Sequence, residues 1–436
     1  MPNPSTTWRT RNVWAIALSA CFADLGYQSV MAGFPLLLVL VLHQQVWVFG
    51  LAMALAYGGG SLISYLGGRL GDRYGHRHIA LLGNSVIPLL SLSALVYNPV
   101  WAMGLLCGGW WARNLRSPSR RVMLTEAAPD PATRSSAFGF LHALDVGGGV
   151  LAAIYVLIAI SLHLQFRWIF LGTALPLIAS TISLSLATTG KSRSEPNARR
   201  KESAHTQGPA SPGPSRGEGA DKDDIQGTDP EEAPWRGALP ASSARAILAA
   251  TALFGFTSYS IGFPVLTVSQ GYHSFSAGIG AFLLFQAVSA ATGYLLGGHL
   301  GKTMTAQLRR LGLVGYLGAG VGAALIAIGY EMGKGGFLLF LGVAIIGFAL
   351  GVIETLEPTL ISRTGLPGQS GRAFGALSAY RSAGVFAGNL IMGLLYSLGA
   401  AWSYGYASIV AGIAALIIII TIWQLPIREE QKSTVS

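Results

Sequence analysis

From Val13 to Leu42 the chain carries one charged residue, Asp24, and long apolar runs of the same kind recur to the C-terminal end. About 20 consecutive apolar residues span the hydrocarbon of a bilayer as a helix. Backbone polar groups find no water there, so each segment must satisfy its own hydrogen bonds. The pattern therefore predicts an all-α membrane protein. Twelve spans are expected, near residues 13–41, 46–68, 78–97, 100–122, 133–160, 166–188, 244–268, 275–300, 307–330, 336–362, 371–396 and 401–425. The first is too long for a straight crossing, and Gly33-Phe34-Pro35 is expected to bend it. Arg9 and Arg11 followed by an apolar run resemble a signal peptide, but the run continues too far, so it reads as a membrane helix.

Charge supports this class. Only 11% of the 436 residues are charged, against about 25% in soluble proteins. A formal charge of +10 would suggest nucleic acid in a soluble chain. Here basic residues are expected to hold topology instead, and no nucleic-acid partner is expected. Arg9, Arg11, Arg69, Arg73, Arg77, Arg120, Arg121, Arg134, Arg309, Arg310, Arg363, Arg372 and Arg428 fall in one set of loops. The opposite set holds Arg167 and Lys334. Both termini are thus expected on the cytoplasmic side. Cys21 and Cys107 lie in apolar runs and suggest neither a disulfide nor a metal cluster. No P-loop and no Ser/His/Asp arrangement stands out, so no enzyme activity, cofactor or metal is expected. Trp101, Trp110 and Trp111 are read as interface or packing residues.

The organisation is bipartite. Residues 1–189 and 244–436 form two apolar units, and 190–243 is a linker rich in Pro, Gly, Ser and charge. Such a composition buries too little apolar surface to fold. Gly33-Phe34-Pro35-Leu36-Leu37 recurs as Gly262-Phe263-Pro264-Val265-Leu266. Gly67-Gly68-Arg69-Leu70-Gly71-Asp72 recurs as Gly297-Gly298-His299-Leu300-Gly301-Lys302. Arg134-Ser135-Ser136-Ala137-Phe138-Gly139 recurs as Ser370-Gly371-Arg372-Ala373-Phe374-Gly375. The offsets of 229, 230 and 236 argue for two duplicated six-helix halves.

Between the second and third runs lies Gly68-Arg69-Leu70-Gly71-Asp72-Arg73-Tyr74-Gly75-His76-Arg77. Gly68 is expected to let one helix approach another, and Gly75 to take backbone angles that other residues resist. Asp72 suits a helix N-terminus, while Arg73 and Arg77 suit an anionic membrane face. The string resembles the loop G-x-L-x-D-R-x-G-R-R/K of the major facilitator superfamily, with His76 in place of one basic residue. That resemblance implies the two-half transporter fold and alternating access. It implies that Gly68, Asp72, Arg73, Gly75 and Arg77 form a conformational gate, with Asp72 touching the start of the eleventh helix near Gly371-Arg372. Arg113-Asn114-Leu115-Arg116-Ser117-Pro118-Ser119-Arg120-Arg121 resembles the run R-T-x-P-R-D of a bacterial efflux-like branch. The same branch carries R-A-x-D in the fifth helix, here His142-Ala143-Leu144-Asp145. By this resemblance the chain is a transporter of the bacterial inner membrane. Two features of proton antiporters are absent: an Arg within Val100 to Ala112, and a Gly-Pro pair near Gly147-Gly148-Gly149.

Four acidic residues, Asp24, Asp145, Glu354 and Glu357, fall inside expected spans. Charges there are costly and usually face a cavity or a partner. From a rise of about 1.5 Å per residue, Asp24 lies roughly 20 Å beyond Arg11, near the midplane. Glu354 and Arg381 reach similar depth, roughly 14 Å from Arg363 and Arg372, which suggests an ion pair. The pair is either a packing device or one that opens on binding of substrate or a proton. Asp24, Tyr27 and Gln28 share a helical face; the face is either substrate-contacting or an interhelical hydrogen-bond cluster. Arg116 either reaches Asp145 or extends to the membrane surface. The expected partners are a small-molecule solute, membrane lipids and protons, with the chain a monomer. Export of an amphipathic compound leads; import of an organic anion through Arg116 and Arg381, and a non-transporting receptor or scaffold, are the alternatives.

Overall fold

The computed structural model describes residues 9–128, 131–188, 241–257, 259–296, 304–333, 336–362 and 370–424. Linker residues 190–240 and the repeat copy at Gly297–Lys302 lie outside the described residues. So do the side chains of Arg134, Gly371 and Arg372. Eight helices among the described residues are long and apolar enough to cross a membrane.

The first set opens with α1 (Arg11–Val41) and α2 (Val46–Tyr74). α3 (His76–Val86) runs into a 3-10 turn at Ile87–Leu92, which contains Pro88. α4 (Pro99–Ala127) starts where Asn98 Oδ1 accepts the Val100 N–H at 2.9 Å, with Pro99 at the first helical position. α5 (Pro131–Ser161) and α6 (Phe166–Ser185) complete that set. In the second set α7 comes in two pieces, Ala241–Gly255 and Gly262–Gly271. α8 (Phe275–Leu296), α9 (Thr305–Glu331), α10 (Gly336–Ser362), α11 (Ser370–Tyr396) and α12 (Ala400–Gln424) follow.

The expected bend in α1 is a change of helix type. The α-helix ends at Pro35 and a π-helical stretch continues over Leu36–Val41. Similar π-helical stretches interrupt α2 at Leu55–Gly59 and α9 at Leu311–Tyr316. The continuous seventh span expected at 244–268 is instead broken between Gly255 and Gly262. Asn389 on α11 compensates, its Oδ1 accepting the freed Ser260 N–H at 2.8 Å. Non-helical backbone at membrane depth is tolerated where protein satisfies it in this way.

The α1–α2, α5–α6 and α7–α8 connections lie at one end of the bundle, here the His43 end. His43, His163 and His273 each take a left-handed φ there, between 51° and 56°. The next N–H closes back onto the preceding helix: Gln44 to Leu38 O, Leu164 to Ala159 O and Ser274 to Ser269 O, each at 3.0 Å. This is the helix stop that glycine usually provides. At the opposite, Arg73 end, Gly75 takes φ +92°, as its type allows.

The two sets meet toward the His43 end. Phe49 packs edge-on to Phe263 at 5.0 Å, and Phe166 to Phe275 at 5.6 Å. Pro35 and Phe49 close over Gly262, so the two copies of the Gly-Phe-Pro repeat touch. α2 and α11 come backbone to backbone: a Cβ on Gly50 would lie 2.6 Å from Asn389 O and 2.8 Å from Gly393 Cα. Lipid tails are as apolar as side chains, so close contact of small residues carries much of such helix association. Beyond its π-helical stretch α2 turns from α11 to α4, meeting Trp111, Asn114, Leu115 and Ser119. The sets therefore diverge toward the Arg73 end, leaving a cavity between them.

Several gate residues behave differently from expectation. A Cβ on Gly68 would meet only Pro118, at 4.0 Å; the close approach falls on Gly67, over the Leu115 carbonyl. Asp72 is not at a helix N-terminus, because α2 continues to Tyr74. Its side chain is 78% exposed and pairs with His76 one turn later at 3.3 Å. Arg77 turns inward, its Nε and Nη2 donating to Ala187 O at 3.1 Å and Ser185 O at 2.9 Å. It thereby caps the C-terminus of α6, where a cation is favoured. Arg73 lies against the ring of Tyr74 at 5.2 Å. The expected contact of Asp72 with Gly371-Arg372 falls on side chains outside the described residues.

Candidate functional site: a cavity flanked by two charged clusters

The cavity has a volume of about 540 Å³ and is walled by both sets. Gln28, Tyr57, Trp110 and Arg113 come from the first set. Tyr259, Phe282, Phe285, Gln286, Glu354 and Arg381 come from the second. Most of the remaining wall is small, apolar or hydroxylic, as in pockets that hold an apolar body and orient it with a few polar groups.

Behind the first wall lies a buried cluster of charge. Gly148 on α5 has no side chain to separate the helices, so α1 passes with the Cys21 carbonyl and Asp24 Cβ directly over it. Asp24 is thereby covered and only 6% exposed. Of the face Asp24-Tyr27-Gln28, only Gln28 lines the cavity. Tyr27 is buried and donates its hydroxyl proton to Asp24 Oδ1. Neither Asp24 nor Tyr27 lines the cavity in this state: α5 passes over Asp24, and Trp110 and Arg113 of α4 lie against the Tyr27 ring.

α4 supplies three cations at one helical face, Arg113, Arg116 and Arg120. Arg116 neither reaches Asp145 nor extends to the surface. It is fully buried and donates to Asn84 Oδ1 at 2.6 Å. Asn84 passes the contact on to Ser180 and Thr181 of α6 at 3.0 and 2.9 Å. Asp145 is held instead by Arg120, Nη2 to Oδ2 at 3.2 Å. The sequence places Arg120 in a loop; α4 continues past it to Ala127 and leaves it 6% exposed. The Asp24 and Asp145 carboxyls approach closely enough to interact. Asp24 Oδ2 and Asp145 Oδ1 are buried without a hydrogen-bond donor.

The second wall has a complementary cluster. Arg381 Nη2 meets Glu354 Oε1 at 2.6 Å, and Nη1 meets Glu357 Oε2 at 3.2 Å. Glu357 is fully buried and also accepts from the Tyr316 hydroxyl at 2.7 Å. Tyr316 stacks on Phe254 at 4.6 Å and bonds Thr251 at 3.1 Å. Glu354 keeps a side chain 56% exposed although it sits far along α10, because it faces the cavity. The 236-residue repeat offset puts Asp145 and Arg381 at equivalent positions. Each is paired to the preceding helix, Asp145 to Arg120 and Arg381 to Glu357, with the signs reversed.

Sequence reasoning missed Arg113, Trp110, Arg120 and Tyr316. The spacing of the three arginines on one face of α4 was the available signal. Nothing in the local sequence marked Tyr316, the last residue of a π-helical stretch, as the partner of Glu357.

The model of the Major Facilitator Superfamily matches residues 16–388. No curated protein sequence matches the chain. Among solved structures, a mutant of the nucleoside transporter NupG is similar at TM-score 0.69 and 12% identity, covering 95% of this chain and 100% of that one. A POT family transporter in complex with 5-aminolevulinic acid gives TM-score 0.68 at 14% identity, covering 94% and 96%. The human organic anion transporter MFSD10 gives 0.60 at 16%, covering 95% and 100%. Identities this low speak to fold alone. The match over most of the chain, together with a cavity between two sets of membrane helices, places this protein in the Major Facilitator Superfamily, a family of transporters and not of enzymes.

Proposed function

We propose that the protein is a proton-coupled secondary transporter that exports a small amphipathic solute by alternating access. The single observation that carries the reading is the cavity, which both sets of helices wall and which closes at the His43 end. In this reading the two six-helix halves rock about it and the linker tethers them. The arginine-rich loops support a cytoplasmic Arg73 end in a bacterial inner membrane, and in this reading the described state faces inward. Gly68, Asp72, Arg73, Gly75 and Arg77 then act at the end that must close when the cavity opens outward. Export is supported by the resemblance of Arg113–Arg121 to the efflux-like branch. A cavity open between the halves argues against a mere scaffold.

Protons enter the cycle at the carboxyls of Asp24 and Asp145. Protonation of one satisfies the unpaired oxygen of the other and loosens the hold of Arg120 on Asp145. α1, α4 and α5 are thereby biased together, and a bias of about 1–3 kcal/mol is enough to shift a two-state equilibrium. Glu354 and Glu357, held by Arg381, are the second responsive group. The test is flux of a panel of amphipathic solutes in proteoliposomes, with and without an imposed pH gradient. Gradient-stimulated flux is expected for the wild type. Asp24→Asn keeps shape and hydrogen bonding but carries no proton, and is expected to lose the stimulation while eluting as a folded protein. Equal stimulation in Asp24→Asn would exclude Asp24 as the coupling group.

A further inference from the structure

Two cations line the cavity, Arg113 and Arg381. Arg381 is neutralised by two carboxylates at 2.6 and 3.2 Å. Arg113 has no carboxylate within ion-pair distance among the described residues. Its Nη2 reaches the Tyr27 hydroxyl only at 3.5 Å, and its Nε is buried without a partner. The guanidinium is nonetheless held in place, 5.2 Å from the Tyr27 ring and 5.0 Å from the Trp110 ring. Those ring contacts engage the flat face of the guanidinium, and of its in-plane donors Nη2 alone has a partner among the described residues, the Tyr27 hydroxyl. A planar guanidinium held at the cavity wall matches a carboxylate, sulfonate or phosphate edge. A cationic solute has no equivalent seat among the described residues. The exposed carboxylate of Glu354 already holds Arg381, which the solute would have to displace.

We propose that the transported solute is an amphipathic anion and that Arg113 binds its anionic group, with Trp110 and Tyr57 against its apolar body. The assignment rests on the transport reading above and names its solute class. It gives the anion site to Arg113 and not to Arg116 or Arg381. Arg116 is fully buried against Asn84 and Arg381 is already paired.

Three probes with one aromatic body test this: dansyl sulfonate, dansylamide and dansylcadaverine, which are anionic, neutral and cationic. Tryptophan-to-dansyl energy transfer on the full chain in nanodiscs reads their affinities. The wild type is expected to bind the sulfonate about ten- to a hundredfold tighter than the amide, the range of a charge-assisted hydrogen bond. Arg113→Gln is expected to abolish that preference, with dansylamide affinity changing far less than sulfonate affinity. Arg113→Lys, which keeps the charge but loses the planar fork, is expected to retain part of it. If Arg113→Gln does not fold, Arg113→Lys carries the test, with sulfonate affinity reduced several-fold against an unchanged amide. A sulfonate preference that survives these substitutions overturns the assignment. So does a wild type that prefers dansylcadaverine, or one that binds none of the three saturably. Liposome flux separates this from the transport reading. Arg113-dependent sulfonate binding without flux overturns transport and keeps the anion site. Flux of the amide or the amine with no anion preference overturns the anion site alone.

Discussion

At the scale of single residues, the second cluster separates a buried acid from an exposed one. Glu357 is fully buried between Arg381 and Tyr316, whereas the Glu354 side chain is 56% exposed. Removing one member of a buried pair costs up to about 3–5 kcal/mol, and less where the partner keeps a second carboxylate as Arg381 keeps Glu354, while an exposed pair contributes about 0–1 kcal/mol. Glu357→Gln is therefore expected to lower the melting temperature markedly and Glu354→Gln hardly at all. Pairing Glu357→Gln with Arg381→Gln should recover much of the loss. Fluorescence-detected size exclusion after heating measures all of these. An equal effect of the two single substitutions would show that burial does not govern the pair. The Glu354–Arg381 contact was legible in the sequence, because two charges at equal depth on sequential helices have few other partners. The larger share of Glu357 was not, because its burial depends on Tyr316 of α9 closing over it.

At the scale of helices, the closed His43 end depends on α2 meeting α11 without side chains between them. Gly50 and Gly393 touch through backbone atoms, which cannot turn aside as a side chain can. Gly50→Ala or Gly393→Ala should force the helices apart locally. Overpacking of this kind costs about 1–3 kcal/mol. Because the contact belongs to one conformational state, the cost falls on that state and shifts the population away from it. Spin labels on α2 and α11 near this end should show longer distances in both variants. Cysteine probes there should label faster. Unchanged distances with normal folding would mean that the contact does not set the state. The sequence marked Gly33-Phe34-Pro35 as a bend and its repeat as a counterpart. It did not show that the two copies meet, because that contact joins segments more than 200 residues apart.

At the scale of the whole molecule, the linker at 190–243 is expected to act as a tether. Deleting Ser194 to Ala233 should leave solute flux within about twofold of wild type, since loop closure depends only weakly on length. Loss of flux with normal membrane expression would give the segment a regulatory role. Apolar run length, the lean charge content and the loop arginines determined by themselves that this chain is a helical membrane protein, because hydrocarbon forbids any backbone that does not bond itself. The gate string added the family, and the ordered repeats added the expectation of a twofold plan. What only tertiary structure decided is which charges meet. Arg120 in place of Arg116 holds Asp145, Asp24 turns from the cavity, and Arg113, among the described residues, meets the Tyr27 hydroxyl and no carboxylate at ion-pair distance. Depth along a helix follows from residue count, but the partner a side chain finds depends on helix rotation and on where glycine lets two backbones touch.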